Sequence, residues 1–138
     1  MENEIPEFRL SVSKTKCFTQ CRKQYEFSYV LKLPKKDRDY HTFGKFCHKV
    51  LEDFHLSLME NPNQKYHLLI ADCFKKAKIE FQLGMTPEMT KECFEIINQY
   101  LKIISEQKKN NELPNVIGCE KVFKLNIGEN VVLNGMID

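Results

Sequence analysis

The chain has 138 residues, of which 42% are hydrophobic and 29% charged, enough for one soluble domain with a modest core. No apolar run approaches the roughly 18 residues of a membrane span, and the start, Met-Glu-Asn-Glu-Ile-Pro-Glu, is acidic and lacks a signal-peptide core, so neither a membrane-spanning helix nor secretion is expected. The formal charge of +2 hides an asymmetry: residues 9–38 carry nine basic side chains against Glu26 and Asp37, an excess of about +7, and the rest carries about −5.

A basic N-terminal third faces either a polyanion or plain solvent. The expected location is cytoplasmic, or nuclear or viral inside a host cell. Six cysteines are scattered without a Cys-x-x-Cys pair. In such a compartment they are expected as reduced thiols.

Residues 1–10 read as a flexible lead-in, and residues 11–138 as one unit. Ser11 or Ser13 is placed to cap a helix over about 11–31, with Phe18, Cys21, Tyr25 and Tyr29 as its apolar stripe. Leu33-Pro34 and the polar residues after it end that helix. A second helix is expected over about 42–59, with Phe43, Cys47, Val50, Leu51, Phe54 and Leu58 at helical spacing. Asn61-Pro62-Asn63 stops it. A third spans about 64–82, with Gly84 as its stop. Thr86 caps a fourth over about 87–109, with Pro87 at its first position.

From Val116 the period changes to two. Strands over about 117–127 and 131–138 flank Gly128-Glu129-Asn130 as a hairpin. If Ile127 and Val131 close a three-residue loop, Glu120 lies opposite Asp138. Val122, Lys124, Asn134 and Met136 share their face. Opposed carboxylates repel in a sheet unless solvated or bridged by a divalent cation. A register slip of one residue separates them.

His48 projects about 110° from the centre of its helix's apolar stripe, at the border of core and solvent. Gly44, one turn earlier, leaves room beside it. His55 points to the same flank and Glu52 lies nearby. The bland reading is a surface histidine beside a helix-packing glycine. His41 and His67 show no constellation. No Gly-rich phosphate loop, Gly-x-Ser-x-Gly or His-Glu-x-x-His occurs.

In order, four pieces resemble the RecB-family nuclease domains of the PD-(D/E)XK superfamily. Leu10-Ser-Val-Ser, leading to Cys21-x-x-x-Tyr25-x-Phe27, resembles their opening, although Arg22 stands where proline is usual. Gly44-x-x-x-His48-x-x-Leu51-Glu52 resembles their Gly-x-x-x-His helix. Glu120-x-x-Phe123, a turn and Gly135-x-x-Asp138 resemble their core hairpin. Residues 10–60 and 117–138 carry the resemblance.

The resemblance implies an α/β, restriction-endonuclease-like fold, here truncated to about four N-terminal helices and the first hairpin of the core sheet. It implies a DNA nuclease, more specifically an exonuclease, using Mg²⁺ or Mn²⁺ in DNA repair or recombination. His48 and Asp138 would be metal ligands, with Asp138 and Glu120 as the catalytic carboxylates. The family's acidic-x-Lys strand is absent after Asp138, so the chain alone is expected to be inactive. A larger DNA-processing complex or a C-terminal half would then complete the site. Lys14, Lys16, Arg22, Lys23 and Tyr25 would meet DNA, single-stranded or with free ends, with Tyr25, Tyr29 or Tyr40 stacking on bases. Some members hold an iron–sulfur cluster through an early cysteine, which Cys21 would match, but the later ligands are lacking and a buried helix cysteine is the alternative. A different class stays open: a non-catalytic nucleic-acid- or partner-binding remnant whose hairpin edge pairs with another chain.

Overall fold

Three long segments with apolar residues at three- and four-residue spacing form the helices that this spacing predicts. In the computed structural model, which describes residues 7–36 and 38–137, the elements are β1 (Phe8–Leu10), α1 (Val12–Gln20), α2 (Arg22–Tyr25), a π-helical turn (Glu26–Val30), α3 (Asp39–Glu60), α4 (Tyr66–Glu80), α5 (Pro87–Lys109), β2 (Lys121–Gly128) and β3 (Val131–Ile137). They divide into two compact units, residues 37–119 and residues 1–36 with 120–138.

The unit of residues 37–119 is built from α3, α4 and α5. Its buried core is Phe46, Val50, Phe54, Ile70, Cys73, Ala77, Cys93, Ile97 and Ile104. Phe46 meets the rings of Phe74 and Phe81 edge-on, with centroids 5.2 and 5.9 Å away. Burying one such ring contributes about 1.5–3 kcal/mol. The centre of the α3 stripe is therefore Phe46–Val50–Phe54, all fully buried. The expected stripe omitted Phe46 and included Leu51, which is only half-buried. Thr86 caps α5, its Oγ1 accepting from the Met89 N–H at 3.2 Å, and Pro87 opens the helix, where its missing N–H costs nothing. Gly84 is not a left-handed helix stop: a β-carbon there would come 2.7 Å from Thr42 Cγ2.

In the other unit, the helix expected over 11–31 is broken. Ser11 caps α1, accepting from the Lys14 N–H at 3.2 Å. At Cys21 the backbone turns extended (φ −157°, ψ 104°) and the Cys21 thiol accepts from the Gln24 N–H at 3.5 Å, so Cys21 ends α1 and caps α2. Cys21 is exposed, not a buried helix cysteine. The last turn widens: Leu31 N–H donates to Glu26 O at 2.8 Å and Leu33 N–H to Phe27 O at 2.9 Å, around a left-handed Lys32 (φ 50°). Pro34 then prevents further helix.

The sheet has the order β1-β3-β2. β2 and β3 are antiparallel in the expected register, from Lys121↔Ile137 through Phe123↔Gly135 to Asn126↔Val132. The loop is shorter than expected, because Ile127 bulges and Gly128 pairs with Val131. Asn130 takes up the turn with φ 58°. The stretch expected as a flexible lead-in supplies β1, which pairs in parallel with β3, Phe8 opposite Val131 and Leu10 opposite Leu133. β3 thus lies between two strands, and its second residue, Val132, is buried. Lys124 of β2 bridges across β3 to Glu7 at 2.9 Å.

Candidate functional site

The expected site residues fall in both units: His48 lies in residues 37–119, and Glu120 and the basic segment in the other. Asp138 lies outside the described residues, as does any pairing of Glu120 with it.

On α3, ideal helix geometry puts His48 about 160° from the Phe46–Val50–Phe54 line. It is exposed. A β-carbon on Gly44, one turn earlier, would meet nothing within 4 Å, so the helix-packing reading of this glycine does not hold. Glu52 sits 3.7 Å from Lys49, which also pairs with Asp53 at 3.0 Å. His55 shares the flank of His48 but not its exposure. It is half-buried, and its Nε2 lies 2.5 Å from the Tyr100 hydroxyl of α5. Burial lowers the proton affinity of His55 below its ordinary value and raises the pKa of the Tyr100 phenol. His55 is therefore a neutral packing residue, a role its spacing did not reveal.

Glu120 is half-buried and directly precedes β2, with a left-handed backbone (φ 48°). The described ladder begins one residue later, at Lys121↔Ile137. The described β2 thus begins later than the expected strand over 117–127. A non-glycine residue in this conformation is uncommon and marks a constrained position.

The basic segment forms a surface of cations around stacked rings. Phe18, Tyr25 and Tyr29 follow one another, with centroids 5.3 and 5.2 Å apart. Arg22 lies over Phe18 at 5.4 Å, and Lys14 and Lys35 over Tyr29 at 5.8 and 5.4 Å. Lys14 also donates to Arg9 O at 2.9 Å, and Lys23 pairs with Glu26 at 2.7 Å. Tyr25 is half-buried between two rings, so it holds the segment together rather than offering an open face. Phe18 and Lys35, which were not expected as site residues, lie on the same surface. The 7- and 4-residue steps from Phe18 to Tyr25 to Tyr29 were the available signal.

An imidazole with carboxylates is a donor set that suits Mn²⁺ or Mg²⁺. His48, Glu120 and Asp138 have that chemistry. Among the described residues, no group of three or more His, Cys, Asp or Glu side chains is gathered to hold a metal. No described helix is long and apolar enough to cross a membrane.

A family model described as the PD-(D/E)XK nuclease superfamily matches residues 9–138. An α/β chain with five helices and a three-stranded mixed sheet among its described residues is consistent with that match. No curated protein and no solved structure matches the chain.

Proposed function

We propose metal-dependent hydrolysis of DNA phosphodiester bonds as the function of this chain, which belongs to the PD-(D/E)XK nuclease superfamily. The observation that carries the reading is the Gly44–His48 turn of α3. Its histidine is exposed, away from the buried line of α3, and a β-carbon on its glycine would meet nothing within 4 Å, which suits a ligand residue with room beside it.

His48 and Asp138 are the ligands we assign to a divalent ion, with Glu120 as the supporting carboxylate. Bound there, Mg²⁺ or Mn²⁺ supplies charge stabilisation and an activated water. The chain's own contribution is binding and orientation. Lys16, Arg22 and Lys35 meet phosphates, and the rings beneath Arg22 and Lys35 fix the positions of those two. RecB-type exonuclease action on DNA ends is the finer assignment within this reading.

Cleavage of linear and circular DNA in Mn²⁺, by a form of the protein that carries the family's acidic-x-Lys strand, tests it, using the wild type, His48→Ala and Asp138→Ala. Changing even an outer-shell partner of a metal typically costs 10–100-fold, so each variant should lose at least about tenfold. Equal cleavage by all three would refute the assignment. Preference for linear over circular DNA separates exonuclease from endonuclease action.

A second reading, binding without catalysis, is favoured by the sheet. β2 has no described neighbour on its outer side, and Val122, Leu125 and Ile127 along it are exposed. Salt-sensitive DNA binding with no cleavage at any metal concentration, in a form that carries the acidic-x-Lys strand, would select it.

A further inference from the structure

Cys47 of α3 and Cys93 of α5 are thiols whose sulfurs lie 2.6 Å apart, well inside van der Waals contact. A disulfide needs about 2.05 Å, so about half an ångström of movement closes the bond. Cys93 is fully buried and Cys47 half-buried, both at the core of one compact unit. Two sulfurs held this closely meet the distance demand on a disulfide to within that movement. We propose that Cys47 and Cys93 form a reversible disulfide joining α3 to α5, a modification site independent of nuclease chemistry.

The oxidant is a small-molecule disulfide. The Cys47 sulfur, the more accessible of the two, attacks it and releases one small thiol, leaving a mixed disulfide on Cys47. The Cys93 sulfur then attacks the Cys47 sulfur and releases the second small thiol. Two cysteine S–H bonds and one S–S bond are lost; one S–S bond and two small-molecule S–H bonds form. The protein's sulfurs are oxidised, and the reagent's two sulfurs are reduced. The bridge spans 46 residues of sequence. A loop of that length restricts the unfolded chain strongly. It also ties the helix that carries His48 to its neighbour.

The test treats the whole protein with oxidised glutathione, then maps its peptides and measures its thermal melting. Trypsin should release residues 46–49 joined to residues 92–102, with a mass two hydrogens below the sum. Tm should rise by about 5 °C or more. Dithiothreitol should reverse both changes, and Cys47→Ala should show neither. Exposed Cys21 serves as the internal control, because it should accept glutathione without raising Tm. Recovery of Cys47 and Cys93 as thiols under conditions that modify Cys21 would overturn the proposal. So would glutathione left on Cys47, or a bridge between two molecules.

Discussion

The ring of Phe123 on β2 lies over Gly135, its antiparallel partner on β3, so closely that a β-carbon there would come 2.4 Å from the ring's Cζ. The glycine of Gly135-x-x-Asp138 thus has a packing cause separate from any chemistry at Asp138. Gly135→Ala should destabilise the sheet by about 1–3 kcal/mol, the range for overpacking. Phe123→Leu in the same chain should recover part of the loss. Urea denaturation of the two single variants and the double variant measures the coupling. Additive effects would mean that the ring and the glycine do not compete for space.

Cys21 caps α2 through its thiol, a weak acceptor. Cys21→Ser replaces sulfur by a better cap and should match or slightly exceed wild-type stability. Cys21→Ala should cost about 0.5–1 kcal/mol. Thermal melts decide this. A loss of bound iron on Cys21→Ser would instead assign the thiol to a cluster.

Burial disfavours the protonated form of His55 in the folded protein. The unfolded chain therefore binds this proton more tightly. The contribution of neutral His55 is complete above its ordinary value of 6.5 and is lost as pH falls below that, toward the lowered folded value. Tm should drop between about pH 7.5 and 5.5. His55→Gln, which keeps a polar group near Tyr100, should flatten that drop. An unchanged slope would place the titration elsewhere.

DNA binding by the basic segment should weaken with salt. Lys16→Ala and Arg22→Ala should each lower the slope of log affinity against log salt by about 0.7–0.9, one phosphate each. Tyr25→Ala is a poorer probe, because Tyr25 packs between Phe18 and Tyr29 and its loss disturbs the segment. An unaltered slope in both cation variants would move the DNA path off this surface.

Much of this architecture is legible in the residues themselves. The helical spacing of α3, α4 and α5, the caps at Ser11 and Thr86, and the register of β2 on β3 follow local rules. What is not legible depends on distant partners. β1 is three residues long and pairs with a strand more than 100 residues later, so no local pattern announces it. The centre of the α3 stripe could not be chosen from Phe43, Phe46, Cys47, Val50 and Leu51 alone. Only packing against Phe74 and Phe81 sets it on Phe46. The break at Cys21 was hidden because a thiol is a rare cap. At the candidate site, spacing put His48 at the border of core and solvent, whereas it is exposed, because the stripe centres on Phe46. The packed role of His55 needed Tyr100, 45 positions away.

Titration of Mn²⁺ into the full chain, read from the electron paramagnetic resonance signal of the free ion, tests the central claim most directly. Saturable binding that weakens by at least about tenfold in His48→Ala and in Asp138→Ala is the predicted result. Binding unchanged in both variants would contradict it.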